Sequence, residues 1–165
     1  MTSRYLEFDA YDRRLLAAIQ DNGRLSNVEL AERVHLSASQ CQRRLKKLEG
    51  AGVIRGYAAL LDRREVGLRV MAFVNVSLEK HGTDPAREFS RTIDDFPEVL
   101  ECWAVSGDSD YLMRVVSRDL ESFSNFLLHE LLGMPMVASV RSNILLQRIK
   151  ETTTLPLDQL TRDER

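Results

Sequence analysis

The stretch SASQCQRRLKKLEGAGVIRGY, residues 37–57, places four cations within five positions around a single leucine. The whole chain has 165 residues and a formal net charge of −2, so this positive charge is a local concentration. On a helix, one stripe of small and apolar side chains recurs at spacings of three and four: Ala38, Cys41, Leu45 and Leu48. Ser39, Arg43 and Lys46 point away from that stripe. The pattern predicts a helix with one buried face and one outward basic face.

Two further helices are predicted before this one. Residues 9–23 carry an apolar patch (Leu15, Leu16, Ile19) and end at the helix-terminating pair Asn-Gly. The next helix begins at Ser26 with Glu29 three residues later, a capping box that Ser37 and Gln40 repeat. Only His35 and Leu36 connect the two capped helices, and this short turn predicts a helix-turn-helix DNA-binding motif. A solvated helix face in a small bundle remains the alternative.

The rest of the chain predicts a different architecture. Residues 53–61 are predicted to form a strand, and the polar segment 62–67 a linker. Beyond it, alternating and helical patterns follow in the order βαββαβ: strands at 68–79, 98–106, 111–117 and 136–149, helices at 84–96 and 119–132. This order predicts a ferredoxin-like antiparallel sheet covered by helices on one face. We therefore predict an α+β protein with domains at 1–61 and 68–150 and a polar tail at 151–165.

Two stripes of apolar residues are expected to form the second core. The first strand contributes Val70, Ala72, Val74, Val76 and Leu78, and the last helix contributes Leu120, Phe123, Leu127 and Leu131. The uncovered sheet face would carry Met71, Phe73 and Trp103, and an exposed apolar patch of that kind indicates an interface. We therefore expect a homodimer that forms sheet to sheet.

Charge and composition argue against a membrane or secreted protein and indicate two parts of different charge. Residues 1–60 hold 10 Lys/Arg against 7 Asp/Glu, and residues 61–165 hold 13 against 18, so a mildly basic front precedes an acidic back. No apolar run reaches the length of a membrane span, and the polar N-terminus lacks a signal-peptide core, which predicts a cytoplasmic protein. Cys41 and Cys102 are not expected to form a disulfide.

In its motifs and their order, the chain resembles the Lrp/AsnC family of feast/famine regulators from bacteria and archaea. The resemblance rests on SNVELAERVHLS at 26–37, RRLKKLEGAGVIRGY at 43–57 and ECWAVSGDSDYLM at 101–113. It implies an N-terminal winged helix-turn-helix and a C-terminal effector domain. It also implies binding to double-stranded DNA, homodimers that assemble to tetramers or octamers, and an amino-acid effector at the C-terminal interface. A nucleoid-associated location follows from the same resemblance.

The resemblance also assigns site residues. The predicted DNA-binding set is Ser37, Ser39, Gln40, Gln42, Arg43, Arg44, Lys46 and Lys47. Arg44 lies nearer the apolar stripe and has a second interpretation, as the structural partner of an acidic residue. The predicted effector-binding set is Gly107, Asp108, Asp110, Tyr111 and Ser142. At positions 142–143 this chain has Ser-Asn where the leucine-responsive member has Thr-Tyr, which argues against leucine as the effector.

Several alternatives remain open at this stage. The SGDSDY segment alone is typical of an ordinary β-hairpin turn, and Asp110 could be a structural hydrogen-bond acceptor. Asp108 and Asp110 alone are weak evidence for a metal. An effector-independent DNA-architectural protein is the alternative function. An enzyme is disfavoured because no catalytic constellation or phosphate-binding glycine loop is evident, although the fold does not exclude one. No cofactor is predicted.

Overall fold

The structure, a computed structural model, describes residues 8–79 and 84–157. The chain forms two compact units. The N-terminal unit comprises residues 1–59 and 150–165, and the C-terminal unit comprises residues 60–149. Among the described residues, no helix combines the length and the apolar character that crossing a bilayer requires.

Three helices build the N-terminal unit, as predicted: α1 (Ala10–Asp21), α2 (Asn27–Val34) and α3 (Ala38–Gly50). The capping boxes at Ser26 and Ser37 are both present. A third box, which the sequence analysis did not identify, starts α1, where Asp9 and Asp12 satisfy each other's backbone N–H groups. Among the described residues, one core cluster between the helices contains six buried side chains, those of Leu15, Ala18, Leu30, Ala31, Val34 and Cys41, and Leu16 and Leu48 are buried as well.

The strand predicted at 53–61 is wrong, because these residues form no ladder in the described chain. Helix α3 ends instead with the N–H groups of Val53 and Ile54 donating to the carbonyl of Leu48. The segment then runs exposed, with Leu60 77% and Leu61 75% accessible. A strand needs a neighbour for its backbone hydrogen bonds, and the described part of this chain supplies none here.

The C-terminal unit has the predicted βαββαβ order. Its elements are β1 (Val70–Leu78), α4 (Pro85–Ile93), β2 (Val99–Ala104), β3 (Tyr111–Ser117), α5 (Leu120–Asn125) and β4 (Val137–Ile144). The strands form one sheet in the order β2-β3-β1-β4, and every neighbouring pair is antiparallel. This is the ferredoxin-like arrangement that the pattern predicts.

Residues Val70, Ala72, Val74 and Val76 of β1 are buried against the helices, as expected from their alternation. The end of the last helix differs from the prediction, because α5 continues as a π-helical turn over Phe126–Leu131. Phe126, at the start of this turn, is 4% exposed, whereas Leu120, the first residue of α5 and predicted to be in the core, is 59% exposed.

Among the described residues of the C-terminal unit, no helix covers the opposite face of the sheet. Trp103 is paired with Leu112 across β2 and β3, and Phe73 with Arg114 across β1 and β3. Residues directly opposite each other project from the same face, and Trp103 and Phe73 are 62% and 38% exposed. We call the face that carries Met71, Phe73, Trp103 and Leu112 the open face.

The segment after β4 returns to the N-terminal unit. The side-chain amide of Gln20 on α1 accepts a hydrogen bond from the Leu155 N–H at 2.7 Å and donates to the Leu155 carbonyl at 3.3 Å. A reciprocal pair of this kind imitates one rung of a β-ladder. Leu155 of the polar tail is thereby held on the chain's own first helix, and residues 158–165 lie outside the described residues.

Candidate DNA-binding and effector sites

The turn between α2 and α3 fixes the direction of the candidate recognition helix. His35 ends α2 in the left-handed conformation (φ 58°), which reverses the chain within two residues. Ser37 then caps α3, with its hydroxyl oxygen accepting from the Gln40 N–H at 3.3 Å. The buried side chains of Cys41 and Leu48 hold α3 in the unit. One face of α3 is thereby held inward, and its opposite face must point to solvent.

That outward face carries five of the predicted DNA-binding residues. All are exposed: Ser39, Gln42, Arg43, Lys46 and Lys47. The three cations form no ion pair with any residue that the structure describes. Cations with no protein counter-charge suit phosphate oxygens, and amide and hydroxyl groups suit base edges.

Two other predicted DNA-binding residues, Ser37 and Gln40, form hydrogen bonds with each other at the start of α3. The Gln40 side-chain oxygen accepts from the Ser37 N–H at 3.0 Å. The Ser37 hydroxyl oxygen closes the same box, and it lies 3.1 Å from the hydroxyl of Ser39. The structure therefore gives Ser37 and Gln40 a capping role. The Gln40 NH₂ group donates to no acceptor in the part of the chain that the structure describes.

Arg44 forms ion pairs with acidic residues, as in its second interpretation as a structural partner. Its Nη1 donates to Asp12 Oδ1 at 2.6 Å and to Asp9 Oδ2 at 2.7 Å, and its guanidinium lies 5.5 Å from the centre of the Tyr11 ring. The hydrogen bond to Asp12, followed by the one to Asp9, raises the pKa of Arg44. This arginine ties α3 to α1, which leaves it poorly placed to serve as a DNA contact.

The predicted effector residues 107–111 lie at the turn between β2 and β3. Gly107 has a φ of 127°, a conformation that favours glycine. The carboxylate of Asp110 accepts from the Leu78 N–H at 2.7 Å, and the Asp110 N–H donates to the Val76 carbonyl at 2.9 Å. Asp110 therefore joins the turn to the end of β1, which is the structural alternative left open by the sequence.

Tyr111 and Ser142 lie on the face of the sheet opposite the open face, the one that the helices cover. The Tyr111 ring stacks on Phe89 of α4, with ring centroids 4.7 Å apart. Ser142 pairs with Val74, a buried core residue of β1, and so shares its face. Gly107 and Asp108 remain exposed at the turn. The five predicted residues thus do not converge on a single point.

Two side chains near this turn were missed by the sequence analysis. The Ser77 hydroxyl donates to the Asp108 carbonyl at 3.5 Å, and Arg141 Nη2 donates to the Ser109 hydroxyl at 3.4 Å. Arg141 pairs with Asn75, so it stands on the open face. Sequence alone could have found it only by fixing the register of β4, because a shift of one residue exchanges the two faces.

Metal binding gains no support from the geometry. Among residues 8–79 and 84–157, no three His, Cys, Asp or Glu side chains lie close enough together to hold an ion. Cys41 and Cys102 are both free thiols.

Comparison with known proteins agrees with this division of sites. Residues 8–55 match the family model described as winged helix-turn-helix DNA-binding, and residues 71–155 match the Lrp/AsnC ligand binding domain. The first match contains the candidate recognition helix, and the second contains the turn and the open face.

Individual relatives cover nearly the whole chain. A leucine-responsive regulatory protein of Rhizobium meliloti is 42% identical over 88% of this chain and 94% of its own length. The DNA-binding transcriptional activator DecR of Escherichia coli is 37% identical over 91% of this chain and 99% of its own.

Among solved structures, a transcriptional regulator of Neisseria meningitidis in complex with L-methionine superposes with a TM-score of 0.90. It is 45% identical and covers 93% of this chain and 99% of its own. These relatives are transcriptional regulators rather than enzymes. The chain is an Lrp/AsnC-type transcriptional regulator, with a helix-turn-helix unit for DNA and a ligand-binding unit.

Proposed function

We propose that this protein binds specific DNA sites through α3 and that an amino acid, bound at the C-terminal unit, changes its DNA affinity or assembly. The observation that carries the proposal is the outward face of α3. Three cations and two polar side chains stand there exposed, with no ion pair to any described residue. Arg43 lies three and four residues before Lys46 and Lys47, and like charges at these spacings repel by about 0.2–0.5 kcal/mol per pair, which an anionic partner would relieve.

The DNA contacts follow from the helix geometry. We assign phosphate contacts to Lys46 and Lys47, and base-edge or phosphate contacts to Arg43, Gln42 and Ser39 near the start of the helix. The first turns of a recognition helix meet base edges in the major groove. Arg44 orients the helix instead, through its two carboxylate partners on and before α1.

The effector is proposed to be an amino acid at the turn 107–110. Two observations support this proposal: the match of residues 71–155 to a ligand-binding domain, and the L-methionine bound by the N. meningitidis relative. Turn N–H groups and a nearby guanidinium suit a carboxylate, and the exposed Asp108 suits an ammonium group.

Assembly is proposed to begin with a homodimer through the open face. Trp103 and Phe73 lie exposed on this face, and an exposed apolar patch of this kind marks an interface that a second copy would cover. Two-fold pairing would present two copies of α3 to a pseudo-palindromic site. Dimers would then associate to tetramers or octamers, and the protein would act on the nucleoid in the cytoplasm of a bacterium or archaeon.

The DNA assignment has a direct test. Duplex sites are selected from a random pool with the wild-type protein, and affinity is measured against salt for wild type and Arg43→Ala/Lys46→Ala. Each lost phosphate contact lowers the slope of log affinity against log salt by about one, so a change of about two per protomer is expected. Arg87→Ala/Arg91→Ala on α4 removes the same charge elsewhere and should leave the slope unchanged. Equal slopes for wild type and the α3 variant would show that α3 is not the recognition helix.

A further inference from the structure

The outward face of α1 presents one charged side chain between small neighbours. In the fully described stretch 10–18, the exposed residues are Ala10, Tyr11, Arg14 and Ala17, so Arg14 is the only charged residue among them. The two alanines lie one helical turn before and one turn after the arginine on the same face. Their short side chains leave its guanidinium open to a partner as large as a nucleic acid.

The Arg14 guanidinium contacts an aromatic ring and has no carboxylate partner. Its carbon Cζ lies 5.7 Å from the centre of the Tyr11 ring. Within residues 8–79 and 84–157, no acidic side chain lies within ion-pair distance of it. The two carboxylates at the start of α1, those of Asp9 and Asp12, are both bound by Arg44. A cation–π contact orients a cation but does not neutralise it, so the charge of Arg14 remains available to an anion.

The same ring places Arg14 beside the outward face of α3. Arg44 of α3 lies 5.5 Å from the centre of the Tyr11 ring, so the two arginines share one ring. Gln40 and Lys47 are exposed and lie four residues before and three residues after Arg44, on the same edge of α3. The exposed edge of α3 therefore continues across Tyr11 to Arg14 on α1.

We propose that Arg14 binds a phosphate of the DNA backbone beside the groove that α3 enters, with Tyr11 as its positioning residue. The inference rests on the proposed function, and it adds a contact on α1, outside the helix-turn-helix. An arginine suits this task, because its planar group presents paired N–H donors to two phosphate oxygens. Phosphate contacts fix the position of a protein on the duplex and carry no sequence information. Arg14 therefore adds affinity for DNA of any sequence.

The test measures the DNA affinity of the whole chain against salt, by fluorescence anisotropy, on a duplex selected from a random pool and on a scrambled duplex. Arg14→Ala should lower the slope of log affinity against log salt by about one per protomer, equally on both duplexes. Arg14→Lys keeps the charge and should keep the wild-type slope. Arg91→Ala, a matched loss of an exposed arginine on α4, should also keep it. Urea unfolding of each variant checks that the fold is intact.

A double-mutant cycle tests the role of the ring. Tyr11→Leu should weaken binding to both duplexes about two- to fivefold, whereas Tyr11→Phe keeps the ring and should bind as wild type. In an Arg14→Ala background, Tyr11→Leu should have no further effect on affinity. An equal loss in both backgrounds would show that the ring acts through Arg44, and the positioning role would be wrong.

The variant Arg43→Ala/Lys46→Ala, measured alongside, separates this inference from the function it rests on. If that variant has a lower slope and Arg14→Ala has the wild-type slope, α3 binds DNA and Arg14 does not contact phosphate. If neither variant changes the slope, both the DNA assignment of α3 and the role of Arg14 are wrong. If Arg14→Ala weakens binding to the selected duplex alone, Arg14 acts on sequence reading, and the phosphate contact is overturned.

Discussion

The Arg44 guanidinium on α3 donates to the Asp12 carboxylate on α1, with 2.6 Å between Nη1 and Oδ1, and the Asp12 side chain is only 4% exposed. A buried carboxylate needs its partner, because an unpaired charge out of water is costly. The orientation of α3, and so of its outward cations, depends on this link.

Removing Arg44 should therefore destabilise the N-terminal unit more than removing any outward cation. We expect Arg44→Met to lower the free energy of unfolding by about 3 kcal/mol, because it strands the buried Asp12 charge. Adding Asp12→Asn to Arg44→Met should recover part of that loss, since the neutral amide has no charge to compensate. Urea unfolding followed by far-UV circular dichroism measures both. Additive losses from the two substitutions would show that the pair is not coupled.

Acid should lower the free energy of unfolding by protonating the carboxylates that cap the helices. Backbone N–H groups donate to the carboxylates of Asp9, Glu29 and Asp119, and these hydrogen bonds lower the pKa of each group below its ordinary value of 3.8 or 4.5. The unfolded chain then binds protons more readily than the folded one, so this stability is present above about pH 4.5 and is lost as the pH falls through the lowered values.

A triple variant isolates this contribution. Asp9→Asn, Glu29→Gln and Asp119→Asn keep an oxygen acceptor at each cap but do not titrate. Urea midpoints measured from neutral pH down to about pH 3 should fall less steeply for the variant than for wild type. Parallel curves for the two proteins would assign the acid sensitivity to other groups.

The π-helical turn requires a glycine two residues beyond it. A methyl group at Gly133 would collide with the backbone carbonyl of His129, whereas a methyl group at Gly50 would meet nothing within 4 Å. Gly133→Ala should cost the C-terminal unit about 1–3 kcal/mol through this overlap. Fluorescence of Trp103, the single tryptophan, reports this unit during urea unfolding. Gly50→Ala at the end of α3 serves as the control and should be neutral or stabilising by up to about 1 kcal/mol. Wild-type stability for Gly133→Ala would mean that the turn has room there.

Alanine substitutions at Asp110 and Asp108 should have different effects, the first on stability and the second on the response to the effector. Asp110→Ala leaves the Leu78 N–H without its acceptor and should cost about 1–2 kcal/mol in the absence of any amino acid. Asp108→Ala removes an exposed carboxylate and should change stability by less than about 0.5 kcal/mol, while weakening the thermal response to the effector. The same Trp103 unfolding experiment and an amino-acid melting series measure the two effects. The reverse pattern would exchange the roles assigned to these residues.

Local signals account for the parts of the fold that the sequence predicts well. The boxes at Ser26 and Ser37 and the alternation of β1 act between near neighbours, so they can be read directly along the chain. The strand predicted at 53–61 failed because strand formation depends on a pairing partner far away in sequence or in another chain. The π-helical turn was missed because it departs from the regular helical period, and the lack of space between Gly133 and the His129 carbonyl is visible only in three dimensions.

The candidate sites show the same difference between features set by local sequence and features set by packing. The outward cations of α3 can be predicted from helical spacing. The ion pair between Arg44 and Asp12 cannot, because it depends on how α3 packs against α1. At the predicted effector turn, the motif indicates a loop, whereas the contacts of Ser77 and Arg141 with that loop appear only in the structure. Ser142 and Arg141 are neighbours in β4 and lie on opposite faces of the sheet, which the sequence alone cannot assign without the register.

The coupling between the two sites is the central claim, and one titration tests it. The wild-type protein is added to a selected DNA site with and without a saturating concentration of the amino acid that raises its melting temperature. Assembly of the same samples is followed by light scattering. We expect at least a fivefold change in DNA affinity, or a change of oligomeric state, which corresponds to a coupling free energy of about 1 kcal/mol or more. A bound amino acid that leaves both the DNA affinity and the assembly unchanged would contradict it.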